Sequence, residues 1–177
     1  MQFPSVLPAA GANFNVTNVS SGASSGFATE TIVLMLNALH VYGATIVGTA
    51  AAANKAIAEI RNPAASGRNA YIYALDFFTP VAMGINLLLD GTTIAPAGVP
   101  LNLTLGGGAG VVVVGGSNQL APTGSLIYTS PSLTANASFL IPQPWLLEIP
   151  PGHNVQLQGQ TVNQGFTANV RFYELVN

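Results

Sequence analysis

The chain has 177 residues, of which 49% are hydrophobic and only 6% charged, and its formal net charge is −2. Four Lys and Arg in total cannot neutralise a run of phosphates, which excludes nucleic-acid binding by counterion release. The absence of cysteine excludes a disulfide framework, a thiolate nucleophile and a Cys-ligated zinc site.

Residues 1–26 are rich in Ser, Asn, Gly and Ala and close on Ser20-Ser21-Gly22-Ala23-Ser24-Ser25-Gly26, a flexible-linker composition. They predict an extended N-terminal arm ahead of one β-sandwich domain over 27–177. The first twelve residues hold two prolines and no Lys or Arg, so no secretory signal is expected. Residues 31–53 contain no Asp, Glu, Lys or Arg over a length that would cross a bilayer. Asn37, His40, Thr45 and Thr49 interrupt that run and no basic cluster flanks it, so two buried strands are the preferred reading and membrane association is not expected.

From Glu30 onward short apolar runs alternate with turn residues, the pattern of an all-β, antiparallel sandwich. Strands are expected at 31–36, 41–47, 55–61, 70–78, 84–89, 101–105, 111–114, 125–128, 138–141, 145–149, 154–158 and 166–175. Residues 50–61 are alanine-rich and place Lys55 and Glu59 four apart, which also suits a short helix. The turn signal Asn62-Pro63-Ala64-Ala65-Ser66-Gly67 follows at once and favours a strand. Asp90-Gly91 has hairpin-turn chemistry, and Pro150-Pro151-Gly152 is a turn before the penultimate strand. Residues 106–116, glycines around four valines, read as an excursion whose valines pack against something. In the last strand Phe166, Ala168, Val170 and Phe172 fall on one face and Thr167, Asn169, Arg171 and Tyr173 on the other. Residues 154–158 alternate likewise, and the two final strands are expected to neighbour one another across the turn 159–165.

The chemistry-bearing inventory is thin. Enzymes cluster ionisable groups with tuned pKa values, whereas His40 and His153 have no metal-ligand spacing to each other or to a carboxylate. Asp76 with Asp90, or Glu148 with Glu174, pair only if the fold brings them together; each is more simply a strand-end or turn residue. Gly106-Gly107-Gly108-Ala109-Gly110 lacks the Gly-Lys-Ser/Thr ending of a phosphate loop. The sequons at Asn15, Asn18, Asn102 and Asn136 are what an Asn-, Ser- and Thr-rich chain produces by chance. Trp145, Tyr71, Tyr73 and Tyr128 suit a sugar-binding surface, though core or interface packing explains them more simply. No catalytic, cofactor-binding or metal-binding residue is expected, and no enzyme activity.

So few charges leave the outer surface to neutral amides and hydroxyls or to burial against other subunits, and the second explanation is preferred. A cyclic homo-oligomer, most simply a trimer, would bury what charges fail to protect.

The stretch Ile57-Ala-Glu-Ile-Arg-Asn-Pro-Ala-Ala-Ser-Gly-Arg68 followed by Tyr71-Ile-Tyr-Ala-Leu75 resembles virion-associated β-sandwich proteins of tailed bacteriophages, as does the closing run Leu147-Glu-Ile-Pro-Pro-Gly152, Val155-Gln-Leu157 and 166–174. The resemblance covers 55–177. It implies a jelly-roll-like sandwich on the exterior of a phage particle, made in the host cytoplasm: a head decoration (cement) protein binding the major capsid protein, or alternatively a tail or vertex component or a receptor- or carbohydrate-binding module. It carries over no catalytic residues.

Overall fold

The computed structural model describes residues 41–95, 98, 100–103, 108–141 and 147–176. The expected arm, the strand at 31–36, His40 and Trp145 lie outside the described residues. The described chain is all strand and turn: β1 (Val41–Gly48), β2 (Lys55–Arg61), β3 (Arg68–Thr79), β4 (Ile85–Leu89), β5 (Leu101–Asn102), β6 (Val113–Gln119), β7 (Ser125–Thr129), β8 (Ala137–Leu140), β9 (Leu147–Ile149), β10 (Asn154–Val162) and β11 (Phe166–Val176). β2 has the expected bounds, and its helical alternative is not realised. Among the described residues no helix is long and apolar enough to cross a membrane.

The strands form two antiparallel sheets packed as a β-sandwich. The first has the order β5-β1-β11-β3-β8, with β9 also on β3; the second has the order β6-β2-β10-β4-β7. The pairings are nested in sequence. β1 takes β11, β2 takes β10, β3 takes β9 and β8, and β4 takes β7. The chain is therefore one long antiparallel ribbon whose successive rungs fall in alternate sheets, and β11 on β3 and β10 on β4 complete each sheet. β5 and β6 belong to the connection between β4 and β7 and extend the edges beside β1 and β2.

Period-two alternation decides what lies between the sheets. Tyr42, Ile46, Ala58, Ile60, Leu87, Val155, Leu157, Val170 and Phe172 all point inward and join one buried cluster. In β3 the inward positions run Ile72, Leu75 and Phe77. The step of three is a β-bulge: Arg171 faces Ala74 while Phe172 faces Ile72, leaving Tyr73 as the extra residue. Tyr42 stacks on Phe172 at 5.4 Å between ring centroids. Each fully buried side chain of this size contributes about 1.5–3 kcal/mol relative to exposure.

Two connections cross between the sheets at one end, β2 to β3 and β9 to β10. Gly67 and Gly152 take the left-handed backbone these corners need, at φ 62° and 88°. Asn62, fully buried, ties both together. Its Nδ2 donates to the Arg68 carbonyl at 2.7 Å and the Ile149 carbonyl at 2.8 Å. Its backbone N–H donates to His153 O at 3.0 Å, and its carbonyl accepts from Gly152 N–H at 2.8 Å.

A second buried polar group holds the insertion. The Glu174 carboxylate accepts from Val111 and Val112 N–H at 2.8 and 3.0 Å and pairs with Arg68 Nη1 at 3.1 Å. It fixes the approach to β6 to the middle strand of the first sheet.

Three expectations need correction. β10 and β11 do not pair; they occupy facing sheets, and β10 runs on through Val162 before a reversal at 163–165 in which Asn163 has φ 56°. The valine run is no excursion: β6 continues through Gly115 and Gly116 to Gln119 and pairs with β2 throughout. A Cβ at Gly116 would run into the Val47 carbonyl, so the glycine lets β6 cross the end of β1. Asp90-Gly91 makes no hairpin, because β4 is flanked by β10 and β7; Asp90 takes φ 54° at the strand's end and sends the chain over the second sheet.

Replacing Asn62 with Ala removes the Nδ2 donor from both carbonyls, leaving the Arg68 carbonyl only the Ser66 hydroxyl at 3.1 Å and opening a gap at the corner. The expected loss is about 2–4 kcal/mol of unfolding free energy, read as a lower urea midpoint.

Candidate functional site: sheet edges and outer faces

Apart from Glu148, the described charges lie on the inner strands and the corners. Between Asp90 and Glu148 the sequence has no Asp, Glu, Lys, Arg or His, and that stretch supplies β5, β6, β7 and β8. Among the described residues Glu148, on β9, is the one charge on a strand at a sheet edge, and only Asp90, Glu148 and Arg171 of the charged residues are exposed.

The two flanks of the sandwich differ. At the β1 and β6 flank the sheets are laced together: Thr49 N–H donates to Ser117 O at 3.0 Å, Asn118 Nδ2 donates to Thr49 Oγ1 at 3.0 Å, and Gly98 pairs with Val114. At the other flank, β7 pairs only with β4 and β8 only with β3 among the described residues. Leu126 (57% exposed), Ile127 (40%) and Leu140 (64%) stand on these open edges.

The outer face of the second sheet is covered. Ile94 N–H donates to Glu59 Oε2 at 2.7 Å, and Gln156 Nε2 donates to Thr92 O at 2.8 Å, so residues 92–94 lie over β2 and β10. Both faces of β10 are therefore buried over residues 154–159, where its alternation predicted a wet one. Further along the sheet an amide ladder replaces charge: Gln160 Nε2 and Thr129 Oγ1 donate to Asn86 Oδ1, and Asn86 Nδ2 donates to Gln158 Oε1 at 3.0 Å.

The outer face of the first sheet is polar and concave. Thr45, Asn169 and Asp76 face one another across β1, β11 and β3. Thr45 Oγ1 donates to Asn169 Oδ1 at 2.8 Å, and Asn169 Nδ2 donates to Asp76 Oδ1 at 2.7 Å. One outward position along β11 is Arg171, which forms no ion pair among the described residues. Residues 100–103 overhang this row and enclose a groove of about 740 Å³. Beyond Arg171, Tyr173 stacks on Tyr71 at 5.0 Å, and Glu148 Oε1 accepts from Tyr71 Oη at 3.2 Å and Asn69 Nδ2 at 2.6 Å.

Of the four aromatics singled out for a sugar surface, Tyr71 and Tyr73 lie on β3 in the first sheet, while Tyr128 is on β7 in the second and packs on the core. Neither proposed carboxylate pair is bonded to a common partner: Asp76 bonds Asn169, Asp90 lies 2.9 Å from His153 Nδ1, Glu148 joins Tyr71, and Glu174 joins Arg68. Among the described residues there is no cluster of three or more His, Asp or Glu able to hold a metal ion. Sequence reasoning missed Thr45, Asn169 and Arg171 as neighbours of Asp76. The outward alternation of 167–173 placed two of them on one face, but only strand order brings β1 and β3 alongside. Comparison with protein-family models, curated proteins and solved structures returns no match.

Burial raises the Tyr42 phenol above its ordinary 10.0, with the Glu174 carboxylate adding to it. Burial likewise raises Tyr73, and in Tyr173 burial is followed by the Tyr71 and Glu148 charges. The unfolded chain loses these protons near pH 10 while the folded chain keeps them, so their stabilisation is complete below pH 10 and declines as pH rises beyond it. Urea midpoints should hold from neutral pH to about pH 10 and then fall, and Tyr42→Phe should lessen the fall.

Proposed function

We propose that this protein is a non-enzymatic virion structural protein, a decoration or cement subunit that self-associates and binds across the subunits of a phage head. The observation that carries the reading is the chemistry of its edges. Edge strands invite pairing with other chains, and proteins that must stay apart guard them with charge, especially lysine. Here the edge strands β5 to β8 are drawn from a stretch without one charged residue, and Leu126, Ile127 and Leu140 stand on the open flank.

A copy of the same chain suits such a flank well. Self-association brings identical or adjacent residues face to face, and a surface without charges meets no like-charge repulsion when it does so. The nested pairs 1–11, 2–10, 3–8 and 4–7 folded into two sheets support reading the sandwich as jelly-roll-like, an architecture that serves viral capsids and lectins alike. Fold alone does not assign the role; the unguarded edges favour assembly.

Light scattering of the purified chain should give a mass that is a small multiple of 18.1 kDa, three being favoured. Replacing Leu126 and Leu140 together with Lys should shift it to the monomer with little change in the thermal midpoint, since both side chains are exposed. A wild-type monomer with no affinity for the shell defeats the reading. Quantitative mass spectrometry of purified particles should find the chain near the abundance of the major shell protein; a few copies would move it to the tail or a vertex.

A further inference from the structure

We propose that the groove on the outer face of the first sheet binds an oligosaccharide. Its floor is made by β1, β11 and Asp76 of β3 in register, with Val114, Gly115 and Gly116 of β6 beside the β1 edge.

The polar groups are arranged for hydroxyls. The relay Thr45 to Asn169 to Asp76 uses Asp76 Oδ1 and fixes the carboxylate in orientation. Asp76 Oδ2 remains as an acceptor for ligand hydroxyls. Arg171, one outward position further along β11, is exposed and holds a guanidinium not committed to any carboxylate among the described residues. An acceptor-only group beside a donor-only group is what adjacent sugar hydroxyls match, since each hydroxyl both donates and accepts. The same pairing argues against phosphate esters, because Asp76 repels the anion that Arg171 attracts.

The wall is apolar. Leu101 (72% exposed) and Leu103 (46%) overhang the floor and offer the C–H faces of a sugar ring a surface to lie against. The volume, about 740 Å³, lies within the range of small-molecule sites. This inference does not depend on the assembly reading, since the groove lies at the β1, β5 and β6 side of the first sheet and Leu126, Ile127 and Leu140 stand on the opposite, β7 and β8 flank.

The test is binding of the full chain to an array of neutral oligosaccharides, followed by calorimetry with the strongest hit. Arg171→Ala and Asp76→Ala are each expected to weaken that binding tenfold or more, Thr45→Trp to abolish it by filling the groove, and Lys55→Ala, on the other sheet, to leave it unchanged. Arg171 is exposed, so its variant decides the matter even if Asp76→Ala loses stability. The proposal is overturned if no oligosaccharide binds at millimolar concentration, or if the hit binds Arg171→Ala and Thr45→Trp as it binds the parent chain.

Discussion

Two connections must pass from one sheet to the other at the same end of the sandwich, and the backbone groups they strip of strand partners are paired through the Asn62 side chain and its own peptide. A buried carbonyl without a donor costs about 1–3 kcal/mol, a large share of the roughly 5–15 kcal/mol by which a domain is stable. Asparagine suits the position because its amide nitrogen offers two donors on a short stem. The corner fixes where β2 ends, where β3 begins and how β10 enters the second sheet. With those set, each later rung of the ribbon has its place.

Individual strands were legible because alternation is a local property. The inward set of β11, from Phe166 to Phe172, and the bounds of β2 follow from residue order alone. Pairing is not local. β10 and β11 are consecutive, and their alternation looks the same whether they lie side by side or across the core from each other; they lie across it. β6 was misplaced because glycine carries no face, and the signal that Gly115 and Gly116 belong to a strand is only the closeness of β1 beneath them. The covered outer face of β10 was equally hidden, since nothing in Gln156 or Gln158 announces that residues 92–94 fold back over the sheet.

The polar site was half legible. Asp76 and Tyr71 were noticed, but their partners come from strands about a hundred residues distant in sequence. What the composition did convey was the kind of surface: amides and hydroxyls where charges ordinarily stand. The structure sharpens that statement by location. Charges stand at the corners, in the Glu174 and Arg68 pair, in Glu59 beneath Ile94, and in Asp76 and Arg171 on the outer face of the first sheet, while β5 to β8 are left neutral.

The position of β11 has a consequence for how the chain is made. The last strand in sequence lies between β1 and β3 in the first sheet, with a partner on each side. During synthesis, β1 and β3 leave the ribosome long before the strand that joins them exists. The first sheet has no centre until residues 166–176 have emerged. Such non-local closure is slow and leaves strand edges bare while it waits. The uncharged segment that supplies β5 to β8 is thus also exposed on the nascent chain while the first sheet waits for its centre.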